Sequence, residues 1–391
     1  MMDGVGRVVV NYCDILSRHG HEVYAICPMR DTGNRGGLTY EIVDFATTMG
    51  LPKTPQYQAG VASIDPHYLK RIDMICPDIV HVHSPASAGL EGIRLARKYN
   101  VPLVGTFHSK YYDDMYAMTK SRAIAHLGAS IVAEFFECCD EVWTVSEYAA
   151  RELESYGYKG EIRIVKNGTN PNFAEPCQTE QVKAFLDIKN EPMFLYVGQI
   201  DRKKNIELTL KACALLHAQG EDFRMVFVGQ GRDLERFQKQ AQNLGISEHV
   251  IFTGHVSDQS LLAGIYRNAR LFVFPSAYDT AGLVVSEAGA MGTPSVALFQ
   301  SAPAEIICDG ENGLLCDESP ESLADVMKRV LHDQAMTKRL GEAARITLPR
   351  SWESVISEAE LHYERLIQSG AQPRHSALQR LREKIHHLSE K

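Results

Sequence analysis

The sequence predicts an α/β protein made of two doubly wound domains, each a parallel sheet covered on both faces by helices. Three observations carry this. The chain has 391 residues, which suits two domains better than one core. It repeats one phrase throughout: a short β-rich run, a turn, then an amphipathic helical stretch. The β-rich runs are almost continuously apolar, as strands must be when both faces of their sheet are covered.

The elements follow in order. The chain opens on "DGVG" and passes at once into the helical "RVVVNYCDILSRHG". A wound domain places a strand ahead of such a glycine turn, so the first N-terminal strand is missing from the pattern. Five strand runs follow: "HEVYAICP", "DIVHVHSP", "VPLVGTFHS", "DEVWTVSE" and "IRIVKNGT". Between them "SPASAGLEGIRLARKYN" reads as a helix with Ser84 as N-cap and Pro85 at its first position. The polar stretch Asn170–Lys189 reads as the interdomain connection, with room for a short helix. Six more runs follow: "PMFLYVGQ", "RMVFVGQG", "HVIFTGHV", "ARLFVFPS", "TPSVALF" and "NGLLCD". The stretch "IELTLKACALLHAQG" is helical and ends at Gly220.

Composition narrows the function. Apolar residues make up 45% and charged residues 23%, which describes a folded globular chain. A formal net charge of −8 argues against a general nucleic-acid binder. The nine cysteines show no CxxC pair, and the adjacent Cys138 and Cys139 are poorly placed for a bridge. They read as reduced thiols in a cytoplasmic protein. No apolar run approaches the ~18 residues of a membrane span, and the N-terminus has no secretion signal. A membrane-bound substrate would then be reached from the cytoplasmic surface.

Ligands of wound sheets sit beyond the carboxyl ends of strands, so residues just after each run are the candidates. "SAYDTAGLVVSEAGAMGTP" follows "LFVFPS". Gly282 lets a ligand approach the backbone, "LVVSEAGAM" is a short helix stopped by Gly292, and its free N-terminal amides suit an anion. Glu287 lies one turn inside, roughly 6 Å along the axis, and Asp279 lies before the helix. Either the two acids grip the ends of one extended ligand, or they are a loop acid and a helix acid with no common role. "YVGQIDRKKNIELTL" crowds Arg202, Lys203 and Lys204 into the start of a helix, where the dipole disfavours cations. An anionic ligand or simple solvation would settle that conflict. His108 follows "GTFHS", where an imidazole could position a substrate or serve the fold. His81 and His83 alternate along a strand, an arrangement read as turning at most one of them to the cleft. "VGQGRDLERF" lacks the third glycine of a dinucleotide fingerprint, and no compact metal-binding set is present.

Taken together, "FPSAYDTAGLVVSEAGAMGTPSVA", "DGVGRVVVNYCDILSRHGHEVYAICP", "DIVHVHSP", "TFHS", "VSEYAA", "NGTN", "LYVGQIDRKKN" and "FTGHVSD" stand in an order that resembles glycosyltransferase family 4, retaining enzymes of the GT-B fold. The resemblance covers nearly the whole chain. It implies two facing Rossmann-like domains: 1–175 on the acceptor side, completed by a helix at 352–370, and 176–350 holding the nucleotide-sugar donor. It implies catalytic roles for Lys204 on the diphosphate, Asp279 on the sugar hydroxyls, Glu287 on the ribose diol and His108 facing sugar and acceptor. Donor-binding positions would be Gly4, Gly198, Arg202, Val256, Thr280, Ala281, Gly282 and Leu283. No metal and no cofactor beyond the nucleotide diphosphate sugar would be needed. The chain departs from the pattern where Asp279 replaces a Glu, where Gln199 stands in place of an Arg, and at the missing first strand.

The reading is therefore a cytoplasmic transferase that moves a hexose to a hydroxyl of a glycan, glycolipid or lipid-linked acceptor, peripheral at the inner face of the cell membrane. The rivals are a non-catalytic nucleotide-sugar or glycan binding partner and a GT-B sugar-nucleotide epimerase. Residues 371–391 carry five Lys/Arg against two Asp/Glu and read as a solvated tail, an interfacial membrane contact or an oligomer helix.

Overall fold

A computed structural model describes residues 4–29, 36–47, 49–51, 54–169 and 175–371. The chain divides into two compact units. One joins the residues up to Lys166 with those from Trp352 onward, and the other runs Asn167–Ser351.

The described part of the first unit opens on α1 (Gly4–Arg18), and the positions ahead of it, where the missing strand was expected, lie outside the described residues. Strands β1 (Tyr24–Met29) and β2 (Glu41–Ala46) pair in parallel, and β3 (Met49–Leu51) and β4 (Thr54–Ala59) form an antiparallel hairpin. After α2 (Pro66–Ile72), the chain alternates β5 (Val80–Val82), α3 (Ser87–Tyr99), β6 (Leu103–Phe107), α4 (Tyr111–Thr119), α5 (Arg122–Phe136), β7 (Glu141–Thr144), α6 (Glu147–Ser155) and β8 (Ile162–Ile164). Strands β5 to β8 form a second parallel sheet in sequence order, separate from β1–β2.

The second unit holds α7 (Thr179–Leu186), β9 (Met193–Val197), α8 (Ile206–Ala218), β10 (Arg224–Val228), α9 (Leu234–Asn243), β11 (Val250–Gly254), α10 (Gln259–Asn268) and β12 (Leu271–Phe274). It continues through α11 (Leu283–Ala290), β13 (Ser295–Leu298), β14 (Gly313–Cys316), α12 (Pro320–His332) and α13 (Gln334–Thr347). Its six strands are all parallel, in the order β11-β10-β9-β12-β13-β14. The final helix, α14 (Trp352–Ser369), belongs to the first unit.

All eleven strand runs read from the sequence are strands. Three more, β2, β3 and β4, escaped that reading. In β2, "EIVDFA" puts Val43 and Phe45 inside while Glu41 and Ala46 are exposed, so the segment lacks a continuous apolar run. Helix α3 starts at Ser87 rather than at Pro85, with Ala86 as its N-cap. Ser84 instead accepts a hydrogen bond from the Ala86 N–H (3.2 Å), which holds a local turn ahead of the helix. The stretch 170–189 does contain a short helix, α7. Its described part nevertheless belongs to the second unit, because Val182 and Leu186 are buried in that unit's core. Helix α8 ends as its glycine requires, with Gly220 at φ 76°. The basic tail lies outside the described residues apart from Ala371.

The second unit's core is continuous. Phe194, Tyr196, Phe227 and Phe272 from three neighbouring strands are fully buried, each contributing about 1.5–3 kcal/mol of transfer free energy. In the first unit, α1 and α14 pack Val8, Tyr12 and Ile15 with Trp352, Val355, Ile356, Ala359 and Tyr363 around Val104 and Trp143. At the edge of that contact, His19 bridges two acids of α14. Its Nε2 lies 2.7 Å from Glu353 and its Nδ1 2.9 Å from Glu360. His21 Nε2 reaches Glu360 at 3.0 Å.

Hydrogen bonds to Glu353 and then Glu360 raise the His19 pKa above its ordinary value. A raised folded-state pKa gives stability that is fully present below the unfolded value of about 6.5 and is lost as pH rises through the folded value. Thermal unfolding of wild type and His19→Gln should therefore differ most at pH 6 and converge toward pH 9. A difference that stays constant across that range would remove His19 from the linkage.

Candidate functional site

In the second unit, β9 and β12 are neighbours whose onward connections run to opposite sides of the sheet. The loops after them therefore diverge at a switch point, the place where wound sheets hold ligands. The loop after β9 begins at Gly198 and is interlocked with the loop after β10. Gly229 has φ 141°, and a Cβ there would sit 1.9 Å from the Gly198 carbonyl oxygen. Only glycine fits so close an approach. The Tyr196 hydroxyl, inside the sheet, donates to the Gln199 carbonyl (2.9 Å) and fixes the loop from below.

The three cations do not occupy the first turn of α8, as the sequence suggested. Arg202–Lys204 form a separate 3-10 turn, capped by Asp201, which accepts from the Lys203 N–H (3.0 Å), and closed by Asn205 at φ 57°. The left-handed Asn205 breaks the path into α8, so the three cations lie ahead of that helix rather than in its first turn. Each cation has its own setting. Arg202 pairs with Asp233 (3.3 Å) and its side chain is mostly exposed, while Lys203 lies over the Tyr278 ring, 4.4 Å from its centre. Lys204 reaches across to the loop after β12 and donates to Asp279 Oδ1 at 2.6 Å. The pair is largely buried, and Asp279 Oδ2 is buried with no hydrogen-bond partner. An acceptor of that kind costs free energy unless a donor reaches it.

Glu287 is 4% exposed, inside α11. The buried Tyr266 hydroxyl donates to its Oε2 (3.2 Å), and Thr293 donates to the Tyr266 carbonyl (2.5 Å). Glu287 is therefore held as an acceptor in a place where a carboxylate is costly without partners. The N-cap of α11 is Gly282, which offers no side chain to the first amides. Thr280, Ala281 and Leu283 surround it, half-buried, and Val256 is buried just after β11.

Gly4 and His108 lie in the first unit. Gly4 opens α1 in open space, so the described packing does not itself demand a glycine there. His108 follows β6 and is buried. The reading of His81 and His83 is corrected: residues two apart on a strand share a face, and their rings lie 4.1 Å apart. His83 Nδ1 lies 3.0 Å from His108 Nε2, so one ring donates and the other accepts. His81 contacts the Tyr363 hydroxyl (2.5 Å) and Thr106 (2.6 Å). Burial lowers the pKa of all three, that of His83 to about 4, so the array is neutral at pH 7. His108 therefore acts, if it meets a substrate, as an uncharged hydrogen-bonding ring.

Comparison with known proteins identifies the family to which this fold belongs. Residues 2–173 match the profile described as Glycosyltransferase Family 4, and residues 178–347 the one described as Glycosyl transferases group 1. An alpha-monoglucosyldiacylglycerol synthase of Streptococcus pneumoniae is 32% identical over 56% of this chain and 51% of its own length, so that match spans about half of the relative. A GDP-mannose-dependent alpha-mannosyltransferase of Mycolicibacterium smegmatis is 26% identical over 94% of both chains. The solved sucrose-phosphate synthase of Thermosynechococcus elongatus shares the fold at a TM-score of 0.77, with 22% identity over 94% of each chain. The two wound units are those of the GT-B architecture, and the protein is a glycosyltransferase. It belongs to glycosyltransferase family 4. The relatives support sugar transfer over the binding-partner and epimerase readings.

Sequence reasoning missed Tyr266, Tyr278, Asp233 and the His83–His108 contact. A buried helix tyrosine gives no pattern of its own, and Asp233 lies inside the "GQGRD" run set aside as a weak dinucleotide signal. His83 was within reach, since correct strand parity places it beside His81.

The neutral histidines set an acid limit on the first unit. Their folded pKa values are depressed, so below about pH 6.5 the unfolded state binds more protons and stability falls as pH drops. The stability lost by wild type between pH 6.5 and pH 4.5 should exceed that lost by His83→Phe in parallel urea titrations. Equal losses would show that the histidine array does not limit acid stability.

Proposed function

We propose that the second unit binds the donor, a nucleotide diphosphate sugar, along the crevice between the loops after β9 and β12. The observation that carries this is the Lys204–Asp279 pair with its unpartnered buried Oδ2. The site presents a cation, an acceptor lacking a donor, uncapped helix amides and a second buried acid within one strand-end crevice. Sugar hydroxyls supply the donor that Asp279 lacks, and the diphosphate engages Lys204 and the amides at Gly282 and Leu283. Glu287 accepts from the ribose diol, whose two hydroxyls suit a two-oxygen acceptor. Gly198, Thr280 and Ala281 line the diphosphate and sugar, Arg202 lies at the outer edge, and Val256 packs near the base.

In this reading a hexose passes to an acceptor hydroxyl with its anomeric configuration retained. The transition state resembles an oxocarbenium ion. Negative charge grows on the leaving phosphate, and Lys204 stabilises it where water is largely excluded, a contribution on the order of 10²–10³ in kcat. Gly4 and His108 are the first unit's contributions, His108 as a neutral ring toward the acceptor. The acceptor is a hydroxyl of a glycan, glycolipid or lipid-linked glycan. The lipid-bearing alternatives are supported by the relative named as a diacylglycerol glycosyl synthase. The enzyme would then work in the cytoplasm, peripheral at the inner membrane face.

Glu287→Gln should lower kcat at least about 100-fold while leaving the melting temperature within a few degrees of wild type. Undiminished transfer of labelled sugar by this variant would refute the role given to Glu287. The nucleotide is found by thermal stabilisation against UDP-, GDP- and ADP-sugars, because only a ligand of the folded state raises the melting temperature. No stabilisation by any of them would oppose the donor site.

A further inference from the structure

The first unit carries an apolar surface that the sugar chemistry does not use. Helix α5 carries one polar stripe, Arg122, His126, Ser130 and Glu134, and is apolar on its other faces, more than a helix buried on one side needs. One face, with Ala125, Ala129, Val132, Ala133, Phe135 and Phe136, is buried. Ile124, Leu127 and Ile131 recur at helical spacing on another face, and they are exposed, as is Met118 in the last turn of α4. These four leave 46–69% of their surface in water, with values of 69% for Met118, 51% for Ile124 and Leu127, and 46% for Ile131. Tyr116 is exposed beside them.

The hairpin that presents this face is packed along its length. A Cβ on Gly128 would fall 1.8 Å from Met115 Sδ, so α4 and α5 cross in contact. The Tyr112 ring packs against His126 at 4.8 Å, and the Tyr112 N–H donates to the Tyr156 hydroxyl (2.9 Å) at the hairpin's base.

Charge identifies the occupant. The chain has 49 acidic residues and a net charge of −8, yet from Met115 to Ala133 it contains no acid. The charged residues in that span are Lys120 and Arg122, both exposed, one on each side of Ser121 in the turn between the helices. An apolar ridge tipped with cations, its acids Asp113, Asp114 and Glu134 kept to the base of the hairpin, suits a surface that is oily beneath and negative at its headgroups. A second copy docked through the same face would instead set Lys120 and Arg122 of one chain against those of the other, like charge on like.

We propose that the exposed face of the α4–α5 hairpin, Met118, Ile124, Leu127 and Ile131 with Lys120 and Arg122, docks on an anionic lipid bilayer. This rests on the lipid-bearing acceptor only for the reason a bilayer is nearby, and it assigns that contact to this hairpin rather than to the basic tail.

The test uses the full chain and vesicles sedimented from solution. Wild type should partition onto vesicles of equal parts phosphatidylglycerol and phosphatidylcholine and less onto pure phosphatidylcholine. The triple variant Ile124→Ser, Leu127→Ser, Ile131→Ser should lose about tenfold or more of that partition. Lys120→Glu with Arg122→Glu should lose about tenfold on anionic vesicles alone. Because the replaced side chains are exposed, both variants should keep the wild-type melting temperature and its transfer of sugar to a water-soluble acceptor. Undiminished vesicle binding by both variants would overturn the assignment, leaving the lipid-acceptor reading intact. So would a wild-type dimer that the triple variant abolishes while its vesicle binding persists. Sugar transfer to water-soluble acceptors by a wild type that ignores both kinds of vesicle would remove the membrane contact without touching the donor chemistry.

Discussion

A parallel sheet covered on both faces has no dry place for charge except at the ends of its strands. That constraint organises the second unit. Phe194, Tyr196, Phe227 and Phe272 fill its interior, and the polar groups gather in the loops where β9 and β12 diverge. Lys204 and Asp279 meet there across 75 residues of chain. Neither position would be tolerable alone: a largely buried ammonium or carboxylate without its partner carries a desolvation cost of several kcal/mol. The pair holds the two loops together while leaving one carboxylate oxygen with a capacity that the protein does not fill. In the proposed donor site, stability and recognition would thus share one ion pair.

The glycines make this closeness possible. Gly198 and Gly229 bring the loops after β9 and β10 into backbone contact, which leaves room for the 3-10 turn that carries Lys204. Glu287 depends on the same economy of space, since α11 starts on a glycine and the acid one turn later is held by Tyr266 from a neighbouring helix. The first unit uses a different device. Its histidines are kept neutral by burial, and a ring that cannot charge at pH 7 can hydrogen-bond a sugar without competing for phosphate.

Much of this was legible in the sequence, for a reason that also marks its limit. Apolar runs report burial on both faces, so eleven strands could be read, and the residues after them included Lys204, Asp279 and Glu287. Segments buried on one face only, such as β2, leave a fainter trace. Partnerships are harder still. Nothing in "RKKN" says which cation turns inward, and it was Asn205 in its left-handed conformation, rather than charge pattern, that separated the triplet from α8. Tyr266 is joined to Glu287 by tertiary packing, which no local pattern encodes. The start of α3 moved because Ser84 found a nearer amide to accept from.

The return of α14 to the first unit has a consequence for how the protein comes into being. Trp352, Val355, Ile356, Ala359 and Tyr363 are core residues of a unit whose other parts end at Lys166. On the ribosome, the first unit is therefore exposed as an unfinished core while Asn167–Ser351 is made. At roughly 5–20 residues per second that interval lasts on the order of ten to forty seconds. The second unit, continuous in the chain, has all its residues in hand before the first does. The unit translated first is the one that must wait to be closed.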